Sequence, residues 1–175
     1  MSNWIIRLAL IASAAATGLF AGLLWTFAVG VNPLYATLDG PTYASIQQKM
    51  IGTIDAGIPP VLILTAVAPL VALITLGVTR QWRTPVFALT LSAFLLYMLG
   101  VMVFTVVLNV PINNVILSWD PAAPPADWAQ ARDEWDRLNA IRTPISVLAF
   151  VLYLAALTQP LRATATAPAA VRRAA

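Results

Sequence analysis

The sequence predicts an all-α integral membrane protein, a four-helix bundle with two large extracytoplasmic loops that carry short helices. Three observations predict it. Of the 175 residues, 60% are apolar and only 10% are charged, against roughly 25% charged in soluble domains. The mean hydropathy is +0.82. The apolar residues fall into four long runs, each near the length that crosses a hydrocarbon core of roughly 30 Å. So few charges cannot cover a water-facing surface, which excludes a soluble enzyme domain. The sequence has neither Cys nor His. That excludes disulfides, thiolate nucleophiles, iron-sulfur clusters, His-ligated haem, His-containing zinc sites and every triad built on an imidazole.

The first span, 8–31, follows Arg7 and runs for 24 residues from Leu8 to Val31. Its apolar character continues past Ser13-Ala14-Ala15 through Phe20, Leu24 and Phe27, too long for a signal-peptide core, so it reads as a retained span. Asn32-Pro33 and Asp39-Gly40-Pro41 then break the chain. A short helix follows: Pro41 suits a first helical position, and Tyr43, Ile46, Met50 and Ile54 recur as an apolar stripe opposed by Gln47, Gln48 and Asp55. The second and third spans, 57–78 and 85–108, carry no charge. The short connection Thr79 to Thr84 makes them a helical hairpin. Residues 109–143 form the other large loop, with a proline-rich stretch from Pro121 to Pro125 and then a charged helix that Asp127 can cap. The fourth span, 144–161, is the shortest at 18 residues and closes a single transmembrane domain, 1–161. Residues 162–175, rich in Ala and Thr with Arg172-Arg173 near the end, read as a disordered cytoplasmic tail.

Orientation follows from the arginines. With the N-terminus in the cytoplasm, the inner segments carry Arg7, Arg80, Arg83, Arg162, Arg172 and Arg173 and no acid, whereas the outer loops set Lys49, Arg132, Arg137 and Arg142 against all seven acids. This is a positive-inside pattern with both termini cytoplasmic. The net charge of +3 is scattered along the membrane boundaries, which excludes a nucleic-acid partner and leaves membrane lipid as the surroundings. Nine Arg to one Lys, with abundant Ala, point to a bacterium with a GC-rich genome and hence to its cytoplasmic (inner) membrane.

Three constellations stand out. Ala14, Gly18, Gly22 and Thr26 place small residues at four-residue spacing, which lets another helix approach, either inside the bundle or in a homo-oligomer through Gly18 and Gly22. Asn109 and Asn113 flank Pro111 at the end of the third span. They serve either as helix-end caps for carbonyls that the proline frees, or as the uncharged floor of a pocket for a carbonyl, quinone or phenol. Finally Trp128, Arg132, Trp135, Asn139 and Arg142 fall on one helical stripe that continues to Ser146 and Tyr153. Asp133 and Arg137 lie opposite as a solvated pair. Arg142, at the mouth of a span, either snorkels to headgroups or lines an outward-facing cavity with Asn139.

The pattern Asn109-x-Pro111-x-Asn113, then Trp119, then Trp135-x-x-x-Asn139-x-x-Arg142 resembles the anthrone-oxygenase-like family of small bacterial and fungal membrane proteins, most without an assigned function. The resemblance covers the whole four-span layout, and its specific motifs lie in residues 109 to 142. It implies that some relatives oxygenate anthrones to quinones without a metal or flavin, so that no cofactor is needed. The matched positions are Asn109, Asn113, Trp119, Trp135 and Arg142. Where the family often places a His four residues after the tryptophan, this chain has Asn139, and an amide cannot act as a base. Asp120 is the acid nearest in sequence to the Asn pair. Two readings stay open. One is a binder or oxygenase of a hydrophobic, anthrone- or quinol-like aromatic held in an outward-facing pocket by Asn109, Asn113, Trp119, Trp135, Asn139 and Arg142. The other is a non-catalytic membrane component that meets a partner through the first span. A continuous cavity reaching Asn113, Asn139 and Arg142 separates them.

The topology is testable with reporter fusions. An alkaline-phosphatase fusion after Asp120 is expected to be active and one after Arg83 inactive; the opposite pair of results reverses the orientation.

Overall fold

The computed structural model describes residues 2–162, so the tail expected over 162–175 lies almost entirely outside the described residues. The chain folds as α1 (Ser2–Thr26), α2 (Asn32–Tyr35), α3 (Gly40–Gly57), α4 (Pro59–Val78), α5 (Pro85–Tyr97), α6 (Val110–Leu117) and α7 (Trp128–Thr158). Wide π-type turns at Phe27–Val31, Met98–Val103 and Thr105–Asn109 fuse several of these into longer rods. Four rods result, Asn3–Tyr35, Pro59–Val78, Pro85–Leu117 and Trp128–Thr158, each long and apolar enough to cross a membrane. The protein is a multi-pass, all-α membrane protein.

Three expected boundaries move, and prolines explain two of them. The first rod runs past Asn32-Pro33 to Tyr35, and the third runs past Pro111 to Leu117. A proline has no N–H to give and its ring crowds the carbonyl one turn back, which ordinarily breaks a helix. Here each proline sits just after a wide turn. The N–H of Asn32 bonds the carbonyl of Phe27, and that of Val110 bonds the carbonyl of Thr105, both five residues back. The extra residue in the turn relieves the crowding, and the helix continues. The fourth rod begins at Trp128 rather than at Pro144 and ends at Thr158 rather than Leu161. Asp127 precedes it but makes no side-chain capping bond.

α1 packs along α4 and α7, while α5 packs on α7 and closes the ring against α4. At one end, near Arg7, Arg80 and Arg83, the core is built from Ile6, Leu10, Leu76, Val86 and Tyr153. Arg7 donates to the carbonyls of Leu157 and Gln159 there, and Gln81 accepts from the backbone N–H of Arg162 at 3.0 Å. Side chains such as Leu19, Ile63, Ile74 and Leu99 face outward, as lipid contact requires. At the other end α3 lies over the bundle. Asp39 caps it by accepting the Thr42 N–H at 2.9 Å, and Gln48 ties it down by donating to the carbonyls of Ile116 and Trp119 at 2.8 and 3.0 Å.

The small-residue stripe of α1 divides. A Cβ on Gly18 would lie 2.8 Å from the ring of Phe150 in α7, whereas one on Gly22 would meet nothing within 4 Å. Gly18 therefore sets the close approach of α1 to α7, and Gly22 faces outward, so of the two expected alternatives the in-bundle one holds for Gly18 and not for Gly22. Gly18→Leu should lower thermal stability in detergent by the overpacking cost of about 1–3 kcal/mol. Gly22→Leu should change it by less than about 0.5 kcal/mol, as at an open surface position. Equal losses in the two variants would contradict the assignment.

Candidate functional site

Beneath α3 the bundle holds a cavity of about 120 Å³. Its walls are apolar, formed by Phe20, Leu24 and Phe27 of the first rod and by Met50, Ile51 and Ile58 from the roof. Its polar surface comes from Gln47, Thr105, Asn109, Asn113, Asn139 and Arg142, with the exposed Asp55 at the edge.

Arg142 anchors the floor. It is 5% exposed, and its guanidinium donates to the Thr105 hydroxyl at 2.8 Å and to the Asn139 side-chain carbonyl at 3.4 Å. Thr105 passes its own proton to the carbonyl of Val101 at 2.6 Å, so its lone pair faces the arginine. Asn139 donates to the Leu24 carbonyl of α1 at 3.4 Å, and Thr143 donates to the Asn139 carbonyl at 2.8 Å. No carboxylate of the described residues pairs with Arg142, and its Nε has no partner. The charge is held by neutral groups alone.

The tryptophan side is equally fixed. Trp135 donates its indole N–H to the Asn113 side-chain oxygen at 3.0 Å and packs against Phe27 with ring centroids 5.3 Å apart. The two wide turns place these groups. Thr105, Asn109 and Asn113 recur every four residues, and all three reach the cavity because two of them belong to the wide turn. A step of four overshoots an ordinary 3.6-residue turn by about 40° and falls short of a wide one, so one step of each returns to the same line.

Of the six site residues expected from the sequence, Asn109, Asn113, Trp135, Asn139 and Arg142 meet on this cavity. Trp119 does not. It packs beside Ile116 and offers its carbonyl to Gln48. Asp120 is also elsewhere, exposed and accepting the Ala122 N–H at 2.9 Å. The upper part of the α7 stripe, Trp128 and Arg132, stacks at the outer edge: Trp128 lies 5.5 Å from the Tyr43 ring, and Arg132 lies 5.1 Å over Trp128. Burial, and then the nearby Asp136 carboxylate, push the Tyr43 phenol up, so it stays neutral. Asp133 and Arg137 are solvated as expected but pair with Arg132 and Glu134 rather than with each other.

Sequence reasoning missed Gln47, which was assigned to the polar side of α3. The buried side is Tyr43, Ala44, Gln47 and Ile51, and Ile46 faces out. The spacing Tyr43, Gln47, Ile51, with Ile54 and Ile58 beyond, carried the signal.

A model of the family described as anthrone oxygenase matches residues 47–152. The chain belongs to the anthrone oxygenase family. The match starts at Gln47 and ends within α7, so it takes in every polar group of the cavity. No curated protein and no solved structure matches the chain.

The Asn113 to Trp135 bond can be isolated by a double-mutant cycle. Asn113→Leu leaves a largely buried indole N–H unpaired and should cost about 1–3 kcal/mol. Adding Trp135→Phe should recover part of that loss, because the orphaned donor goes with it. Strict additivity of the two variants would show that the bond contributes nothing.

Proposed function

We propose that this member of the anthrone oxygenase family binds a hydrophobic, anthrone- or quinol-like aromatic as its anion, in a cavity facing the outer side of a bacterial cytoplasmic membrane, and oxygenates it. The observation that carries the reading is Arg142, a buried cation with no counter-charge among the described residues. Burying a lone charge is costly. A phenolate or enolate oxygen beside the guanidinium supplies the missing charge and meets a donor already in place. The apolar walls take the ring, with Trp135, Phe20 and Phe27 around it. A continuous cavity that reaches Asn113, Asn139 and Arg142 together also favours this reading over that of a partner-binding component.

Size sets a limit on the pose. A dry cavity of roughly 150 Å³ is known to hold benzene, so the space of about 120 Å³ here takes at most one ring, with a small outward shift of its side chains. The further rings of a fused aromatic extend toward the edge, where Met50 has a flexible side chain and Asp55 meets solvent. The reaction of a ring methylene with dioxygen gives a carbonyl and water, CH2 + O2 to C=O + H2O. It starts with loss of a methylene proton, which leaves an enolate. Asp55, the one acid of the described residues on the cavity lining, takes that proton in this reading. Arg142 holds the enolate while the carbanionic carbon gives its electrons to dioxygen.

Titration of the purified protein in detergent with an anthrone, together with oxygen uptake, tests the proposal. Arg142→Ala should weaken binding by about tenfold or more, the scale of one charge-assisted hydrogen bond. Asp55→Asn should leave binding near wild type and lower turnover by about a hundredfold. Unchanged affinity and turnover in Arg142→Ala would sink the reading.

A further inference from the structure

Two more polar groups face the same cavity, and the account of Arg142 does not use them. Gln47 and Asn109 are each 1% exposed, both line the cavity, and neither the oxygen nor the nitrogen of either amide has a hydrogen-bond partner. Asn109 stands before α6 without capping it. Four buried amide atoms left unpaired in one place are exceptional, because such groups are nearly always satisfied and each carries a desolvation penalty when it is not. The two amides come from different elements, Gln47 from the roof and Asn109 from the wide turn of the third rod. Packing within a single helix therefore does not account for them.

We infer that Gln47 and Asn109 form a second polar subsite of the cavity, one that recognises a neutral oxygen substituent on the ring edge opposite the oxygen held by Arg142. The inference rests on the ligand reading above and names more closely what the site fits: a ring whose edge opposite the oxygen held by Arg142 gains a neutral oxygen as its methylene becomes a carbonyl. The geometry comes from the third rod. Asn109 lies one turn beyond Thr105, and Thr105 is bonded to Arg142 at 2.8 Å. One turn of helix, ordinary or wide, advances about 5 Å along the axis, the order of the distance between para oxygens across a six-membered ring. Each amide offers both a donor and an acceptor, so a hydroxyl, a methoxyl or a carbonyl oxygen finds a partner. Neither amide carries a charge to pair with a second anion, and the nearest charged group of α3 on the lining, Asp55, would repel one.

The test uses the full-length protein in detergent and two matched probes that differ only at the remote edge, 1-naphthol and 4-methoxy-1-naphthol, with binding followed by tryptophan fluorescence. Wild type should bind the methoxy compound about tenfold more tightly, one added hydrogen bond's worth. In Gln47→Leu/Asn109→Leu that preference should vanish while 1-naphthol affinity is kept. Because the amides are unpaired without ligand, the double variant should also melt at a higher temperature than wild type when ligand-free. Gln47→Met, a smaller change, should show the same two trends in weaker form. Equal affinity of wild type for the two probes would overturn the subsite while leaving the aromatic-binding reading intact. So would a lower melting temperature in both variants, which would mark the amides as structural. Failure of either probe to bind wild type would overturn both.

Discussion

A full positive charge inside a bundle with an apolar exterior constrains everything around it, and at Arg142 neutral groups alone meet that constraint. The guanidinium needs acceptors that stay in place, because water is scarce and a missing partner leaves a desolvated charge. Thr105 supplies one and is itself held by the Val101 carbonyl. Asn139 supplies the other and is tied to Leu24 across the α1 to α7 contact. Through these bonds Arg142 reads the position of three rods at once. Gly18 lets α1 approach Phe150 of α7, and Gly100, where a Cβ would lie 2.7 Å from Ile145, lets the third rod approach α7, so both rods that meet the arginine's helix come close.

The wide turns serve that arrangement. A third rod wound as a regular helix would rotate each of Asn109 and Asn113 by about 40° from the one before, leaving Asn113 about 80° round from Thr105. The proline at 111 would then leave an unpaired carbonyl in a region without water. The turn at Thr105–Asn109 relieves the proline and keeps the three polar side chains on one line. The matching turn before Pro33 brings Phe27 under the roof and against Trp135. Prolines that would terminate helices in a soluble domain thus shape the cavity walls here.

How far the sequence reveals this depends on the period each segment obeys. α7 is one continuous helix from Trp128 to Thr158, so a 3.6-residue wheel places Trp135, Asn139, Arg142, Ser146 and Tyr153 on a common face, and all five are buried. The apolar runs and the lone charges between them mark the four spans for the same reason. The wheel fails on α3, because it assumes that amides turn toward water and isoleucines toward the core. For a helix roofing a polar cavity beside lipid that assumption reverses at Gln47 and Ile46. It fails at Asn32-Pro33 and Pro111 because a π-type turn leaves no mark in composition. Gly22 shows a third limit: a stripe of small residues says that approach is permitted, not that a neighbour is there. Trp119 and Asp120 lay close in sequence to the Asn pair, yet α6 ends before them and the chain turns away.

The amide at 139 is the remaining element, and its chemistry explains how the site divides its work. An imidazole at this position could accept from Arg142 and donate to Leu24 only as a particular neutral tautomer, and its protonation would set a second positive charge beside the guanidinium. Asn139 makes both bonds and does not titrate. The arginine therefore keeps its carbonyl partner at every pH at which the fold holds, and the floor of the cavity keeps a fixed donor surface. In the proposed reaction, proton transfer occurs where a titratable group meets both cavity and solvent, and among the described residues of this lining that group is Asp55. Under the proposed function, charge is stabilised deep in the bundle and the proton leaves at the edge. The ring spans the distance between them.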